Sequence, residues 1–96
     1  MNYSFHPHAE RELKEVENYY ESIREELGDR FRAEIELTIS RIIRFPEAWP
    51  TLSLTIRRGR LNTFPYGIVY KVMSDEILLV AVMHLHREPH YWADRV

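Results

Sequence analysis

An α+β fold is what this sequence predicts: a short N-terminal strand, then an antiparallel helix hairpin packed on one face of an antiparallel β-sheet. Three observations carry that prediction. Apolar residues recur at helical spacing through the first half, at Ala9, Leu13, Val16, Tyr20, Ile23 and Leu27 and again at Phe31, Ile35, Ile39 and Ile42. The second half changes to runs of β-branched and aromatic residues, above all Tyr66 to Met73 and Ile77 to His84. Proline and glycine punctuate the joins, at Pro7, Gly28, Pro46 and Pro50.

Taken in order, Asn2 to Phe5 reads as a strand with Tyr3 and Phe5 on one face. Pro7 suits the first turn of a helix, where its missing N–H leaves nothing unsatisfied, and Gly28 is expected to cap that helix at its C-terminus. Asp29 is placed to cap a second helix through free N–H groups, and Pro46 stops it. So few residues lie between the two helices that they must pack as an antiparallel hairpin. Pro46-Glu47-Ala48-Trp49-Pro50 follows as a rigid connector, with Trp49 expected over the base of the core. Three antiparallel strands complete the chain, over Leu54–Leu61, Tyr66–Met73 and Ile77–His84, with Ser74-Asp75-Glu76 as the turn between the last two. Alternation along the middle strand sends Tyr66, Ile68, Tyr70 and Val72 to one face and Gly67, Val69, Lys71 and Met73 to the other. The face carrying Lys71 is the expected solvent or ligand face.

A chain of 96 residues has room for a single domain, spanning 1–96. At this size roughly 60–65% of the unfolded surface is buried, enough for independent folding when aromatic and branched side chains are plentiful. Cysteine is absent, which removes disulfides, a thiolate nucleophile and thiolate metal ligands. The N-terminus has neither the basic start nor the apolar stretch of a secretory signal, and Ile77 to Met83 is too short to cross a bilayer. A cytoplasmic protein without membrane contact is expected. Charge is uneven: Met1 to Pro50 carries seven Lys/Arg against eleven Asp/Glu, and Thr51 to Val96 six against four, giving the net −2. With a pI near 6.2 the chain lacks the cation density of an unaided, tight nucleic-acid binder.

Several residue groups invite chemistry. Arg57, Arg58 and Arg60 on one strand can hold phosphate oxygens through paired N–H donors, and they equally serve as edge-strand defence. His84 and His86, with His90, have the spacing of imidazole metal ligands. No carboxylate or cysteine supports them, and His6-x-His8 repeats the pattern, so hydrogen-bonded surface histidines are the expectation and no metal or cofactor is called for. The glutamates of the first helix, Glu12 among them, read as its solvated face. Arg87 and Tyr91 form the strongest pair. Cleaving a phosphodiester through the ribose 2′-hydroxyl needs a proton acceptor, a proton donor to the leaving oxygen and a cation on the phosphate, and histidine, tyrosine and arginine supply all three. The alternative reading folds Tyr91 and Trp92 back on the sheet as an aromatic clasp and leaves Arg87 for a partner's carboxylate.

At these residues the sequence resembles the RelE/ParE superfamily of toxins from type II toxin–antitoxin systems, also called plasmid stabilisation proteins. The resemblance rests on Glu12-Leu13 through Tyr19-Tyr20, on Leu27-Gly28-Asp29-Arg30-Phe31, on Phe45-Pro46 with Trp49-Pro50, on Phe64-Pro65-Tyr66-Gly67-Ile68-Val69-Tyr70, and on the ending His84-x-His86-Arg87-x-Pro89-x-Tyr91-Trp92-x-x-Arg95. It implies the same fold, a growth-inhibiting toxin, and a co-encoded antitoxin as partner. It also implies one of two targets. RelE-like members cleave mRNA in the ribosome without a metal, and for that activity Arg87, Tyr91, His86 and Lys71 are the matching catalytic residues. ParE-like members poison DNA gyrase and need none; for target contact Arg57, Arg58, Arg60, His84, His90 and Trp92 are the candidates. Gly67 stands where ribonuclease members carry a phosphate-binding arginine, and together with the low basicity this favours the ParE-like, gyrase-directed reading over the ribonuclease. A homologue without toxicity, acting as a binding module, is the third possibility.

Overall fold

The computed structural model describes every residue from Met1 to Val96. Its elements run β1 (Asn2–Phe5), α1 (Pro7–Ile23), α2 (Glu25–Arg44), β2 (Thr51–Ser53), β3 (Ile56–Arg60), β4 (Tyr66–Val72), β5 (Glu76–His84) and a closing 3₁₀ turn over Ala93–Arg95. The strands form one sheet in the order β1-β5-β4-β3-β2. All neighbours are antiparallel except β1, which lies parallel to β5. That exception follows from connectivity, because the helix hairpin carries the chain from β1 across the sheet before the meander begins.

The helix join differs from the sequence expectation. Gly28 does not cap the first helix and Asp29 does not begin the second: α1 ends at Ile23, a single extended residue, Arg24, makes the turn, and α2 starts at Glu25. Gly28 is instead buried inside α2, where a Cβ would stand 2.9 Å from Cβ of Glu21 on α1. The glycine is there because the two helices cross too closely for a side chain. Glu25 and Glu26 in the first turn, with Arg41 and Arg44 in the last, suit the helix dipole of α2. Arg32 on α2 reaches Glu17 on α1 at 3.0 Å and closes the hairpin.

The strand expected over Leu54–Leu61 is the shorter Ile56–Arg60, and a further short strand, not expected from the sequence, precedes it. Thr51–Ser53 pairs with Ile56–Arg57 through a tight turn, and Leu54 at its tip is fully in solvent. Tyr66, Ile68, Tyr70 and Val72 face the helices as alternation predicts, packing with Phe31, Ile35, Ile39 and Ile42 of α2. Trp49 also joins this cluster, and Tyr70 donates its hydroxyl to the Pro46 carbonyl, so the connector is held from beneath.

β5 departs from simple alternation. Val69 pairs with Ala81 but Tyr70 pairs with Leu79, which leaves Val80 as the extra residue of a bulge. The bulge rephases the strand, so Ile77, Leu79 and Val82 all reach the helix-side core while Val80, Ala81 and Met83 face the other way. β1 follows β5 only as far as Phe5 opposite Leu79. Beyond that point the outer edge of β5 needs other partners.

Candidate functional site

The C-terminal segment after β5 supplies those partners. It turns back so that Trp92 packs on Ile56, Val69, Val80, Ala81 and Met83, the face of the sheet away from the helices. Trp92 is 2% exposed. The surface expected to meet solvent or ligand is thus largely roofed by the chain's own tail, and Trp92, expected to contact a target, is a core residue.

Glu12 on α1 organises the edge beside it. One carboxylate oxygen accepts from the Val82 N–H at 3.0 Å and from Arg95 Nη1 at 2.8 Å; the other accepts from the Tyr91 hydroxyl at 2.7 Å and Arg95 Nη2 at 3.0 Å. Arg95 also donates to the Val80 carbonyl at 3.1 Å. Two edge groups of β5 beyond the reach of β1, the Val82 N–H and the Val80 carbonyl, are therefore satisfied by one carboxylate and one guanidinium. With side-chain exposures of 16% and 11%, Glu12 and Arg95 form a well-shielded two-pronged pair. Glu12 is accordingly no member of the solvated helix face. Burial pushes its carboxyl up, but the hydrogen bonds from Arg95, Tyr91 and Val82 outweigh burial and hold it below its ordinary value. Burial, and then the bond to Glu12 with its charge, push the Tyr91 phenol well above its ordinary value. The bonds that Arg95 donates to Glu12 raise its own value in turn.

This arrangement decides what Tyr91 can do. Its hydroxyl donates to a carboxylate and its ring is covered by Arg87, with the guanidinium carbon 3.8 Å from the ring centre. Tyr91 and Trp92 do fold back as an aromatic clasp. Lys71 lies apart, registered with Ile56 and Leu78, whereas Arg87 follows His84, which pairs with Tyr66 at the opposite end of β4. His84 packs edge-on against Tyr66 at 5.1 Å and accepts the His86 N–H through Nδ1. His6 accepts the His8 N–H in the same way. His90 is exposed, with Nδ1 at 3.9 Å from Glu88.

The three arginines of β3 do not form one patch. Arg57 donates to the Trp49 carbonyl at 2.6 Å and to that of Glu47 at 3.4 Å, fastening the connector. Arg58 and Arg60 alternate to the opposite face, where they line a groove of about 460 Å³ with the Leu61–Pro65 loop, Leu85 and His86. Arg58 leans across Gly67: its Cγ and Cδ lie 2.9 and 3.0 Å from where a Cβ would stand there. A side chain at position 67 would collide with the Arg58 stem, so the slot that lacks a guanidinium of its own is filled by a neighbour's arginine. Glu34 of α2 holds the far side of the loop, accepting from the Thr63 N–H and hydroxyl at 2.7 and 2.6 Å.

Two roles escaped sequence reasoning. Glu12 was hidden because helical spacing assigns it to the polar face, and only the shortfall of β1 along β5 gives that carboxylate a partner. Arg95 stood in the quoted ending without a role; a lone arginine near a terminus carries no signal of pairing with a residue 83 positions earlier.

A helix hairpin packed on one face of the sheet is the fold that the resemblance to the RelE/ParE class of toxin implies. The sequence profile of the ParE toxin of the type II toxin-antitoxin system, parDE, matches residues 3–89, and the chain belongs to that family. Among solved structures it is similar to a chain of the "Chromosomal ParDE TA system from P. aeruginosa", with a TM-score of 0.64 at 12% identity, covering 88% of this chain and 95% of that one. At that identity the likeness speaks for the fold. No curated protein matches this sequence. No helix is long and apolar enough to cross a membrane.

Proposed function

We propose that this chain is a single-domain cytoplasmic toxin that arrests growth by inhibiting DNA gyrase without catalytic chemistry, and that a cognate antitoxin neutralises it. The observation that carries the non-catalytic reading is the hydrogen bond from Tyr91 to Glu12 at 2.7 Å. A general acid must offer its proton to the leaving oxygen, and this phenol is committed to a partly buried carboxylate, with its own burial and that carboxylate together raising its affinity for the proton. Arg87 is spread on the Tyr91 ring, and Lys71 stands at the other end of the strand. Of the residues expected to meet a target, Arg58 and Arg60 line an open groove with His86, and His90 is exposed, which supports their availability to one.

An antitoxin segment has an apolar seat available on the outside of α2, in a depression of about 330 Å³ lined by Tyr3, Ile39 and Ile43 with Glu36 and Ser40. An amphipathic helix laid along such a strip, continuing as an extended stretch, is the mode of binding this supports. The ribonuclease reading keeps one supporting observation: His86, a proton carrier, shares a groove with two arginines.

Purified toxin added to gyrase with relaxed plasmid should block supercoiling, and toxin added to translating ribosomes should leave mRNA intact. Unimpaired supercoiling together with ribosome-dependent cleavage would reverse the assignment.

A further inference from the structure

The loop between β3 and β4 is anchored at its ends by the core and at its tip by one side chain. Leu61 and Phe64 are buried in the helix-side cluster, and the Leu61 N–H donates to the Tyr66 carbonyl at 3.0 Å. Between them Asn62 and Thr63 are exposed and take part in no backbone–backbone hydrogen bond. What fixes them is Glu34 of α2, which accepts the Thr63 N–H through Oε1 and the Thr63 hydroxyl through Oε2. Glu34 forms no salt bridge, so the loop supplies all of its protein donors. Burial pushes its carboxyl up, but the bonds from Thr63 and the neighbouring N–H groups of Asn62 and Phe64 outweigh burial and hold it below its ordinary value. Three successive N–H groups thus turn toward one carboxylate, and bonds to a charged acceptor are the strong ones.

This contact joins two surfaces of the molecule. On the outer flank of α2, Glu34 lines a depression of about 250 Å³ with Arg30, Ala33, Leu37 and Asn62. On the other side of the loop, Asn62, Thr63 and Pro65 wall the groove that holds Arg58, Arg60 and His86. Asn62 lines both. The wall is tied onward to the tail, because the Pro65 carbonyl accepts the Leu85 N–H at 2.9 Å and Leu85 and His86 line the same groove. A site walled by a loop is precise only when a second layer of contacts fixes that loop, and here the layer is one side chain from the helix hairpin. Its removal frees the tip without opening the core, since Leu61 and Phe64 anchor the ends independently.

We infer that Glu34 is a positioning residue for the groove: it latches the β3–β4 loop and, through Pro65 and Leu85, sets the start of the tail, so that a change on the outer flank of α2 is felt across the loop. The value of the latch to toxicity rests on the reading of this groove as target-facing, whereas the latch itself is a property of the free toxin. Neither loop order nor growth arrest requires gyrase to be the target, so loss of the gyrase reading and loss of the latch are separately measurable.

The test compares the full-length wild type with Glu34→Gln by amide NMR, thermal unfolding and the growth arrest that follows induction. In the variant, fast-timescale backbone order should fall at Asn62, Thr63 and Phe64, amide shifts should move at Leu85 and His86, and the unfolding midpoint should stay near that of wild type. Growth arrest should need about tenfold more protein, because a groove assembled about a tenth of the time binds about tenfold more weakly. Thr63→Ser keeps both donors and should match wild type on every measure, while Thr63→Val keeps only the N–H and should fall between the two. Glu10→Gln, the same loss of charge at an exposed position of α1, should change nothing. Unchanged order at Asn62 to Phe64 in Glu34→Gln, shifts that stop at the loop and leave Leu85 and His86 in place, full growth arrest from a protein whose loop is released, or a lowered midpoint with protection lost across the whole sheet would each overturn the inference.

Discussion

The face of the sheet beneath α1 and α2 is closed by twelve buried residues drawn from both helices, two strands and the loop between β3 and β4, whereas the opposite face is closed by six, of which Trp92 alone comes from outside the strands. On the helix side each side chain has several neighbours that share the burden, as in the aromatic set of Tyr20, Phe31, Phe64 and Tyr66 with ring centres 4.8–6.3 Å apart. On the tail side a single indole covers the strands and a single carboxylate holds the segment that carries it. One half is a distributed core and the other is a clasp. Residues that look chemical in the clasp make contacts within it: Tyr91 and Arg95 bond Glu12, and Arg87 lies over the Tyr91 ring.

The comparison breaks most severely at Trp92. Replacing it with Ala should destabilise the protein by about 4 kcal/mol, the cost of a large aromatic removed from a buried site, as read by chemical denaturation; a loss under about 1 kcal/mol would mean that the tail face is no true core. Glu12→Gln should cost about 2–3 kcal/mol, because it strands Arg95 in a shielded site and weakens the bonds from Tyr91 and Val82. Combining it with Arg95→Ala should cost much less than the sum of the single changes.

The same carboxylate sets an acid limit. Its folded-state value lies below the ordinary 4.5, so its contribution is complete at neutral pH and is lost as pH falls below that value through the folded one. Wild type should lose stability over that window more steeply than Glu12→Gln, and parallel profiles would show that Glu12 is not the group responsible. Tyr91→Phe is the mildest change. It removes one hydrogen bond to a charged acceptor, should cost about 1.5 kcal/mol, and should leave growth inhibition intact when the protein is induced. Loss of toxicity in a folded Tyr91→Phe protein would return the tyrosine to a functional role.

How much of this was legible in the sequence follows the same division. The strand Asn2–Phe5, the helix face from Ala9 to Ile42 and the inward set Tyr66, Ile68, Tyr70 and Val72 all follow from periodicity, which is a local signal. Gly28 was misread because a cap and a close helix crossing both select glycine, and only the packed pair distinguishes them. The bulge at Val80, the β2–β3 turn at Leu54 and the opposite facing of Arg57 and Arg58 depend on register with neighbouring strands. At the candidate site the residue types of the tail were visible, but their assignment as chemistry or clasp turned on Glu12, which lies 79 positions from Tyr91.

Amide hydrogen exchange in wild type and Glu12→Gln tests the central claim most directly. If the tail is a clasp fastened by this carboxylate, exchange in the variant should quicken at Val82, Ala93 and Arg95 while Ile68 and Tyr70 keep their protection. Unchanged protection at Val82 and the tail, or an equal loss across the whole sheet, would contradict it.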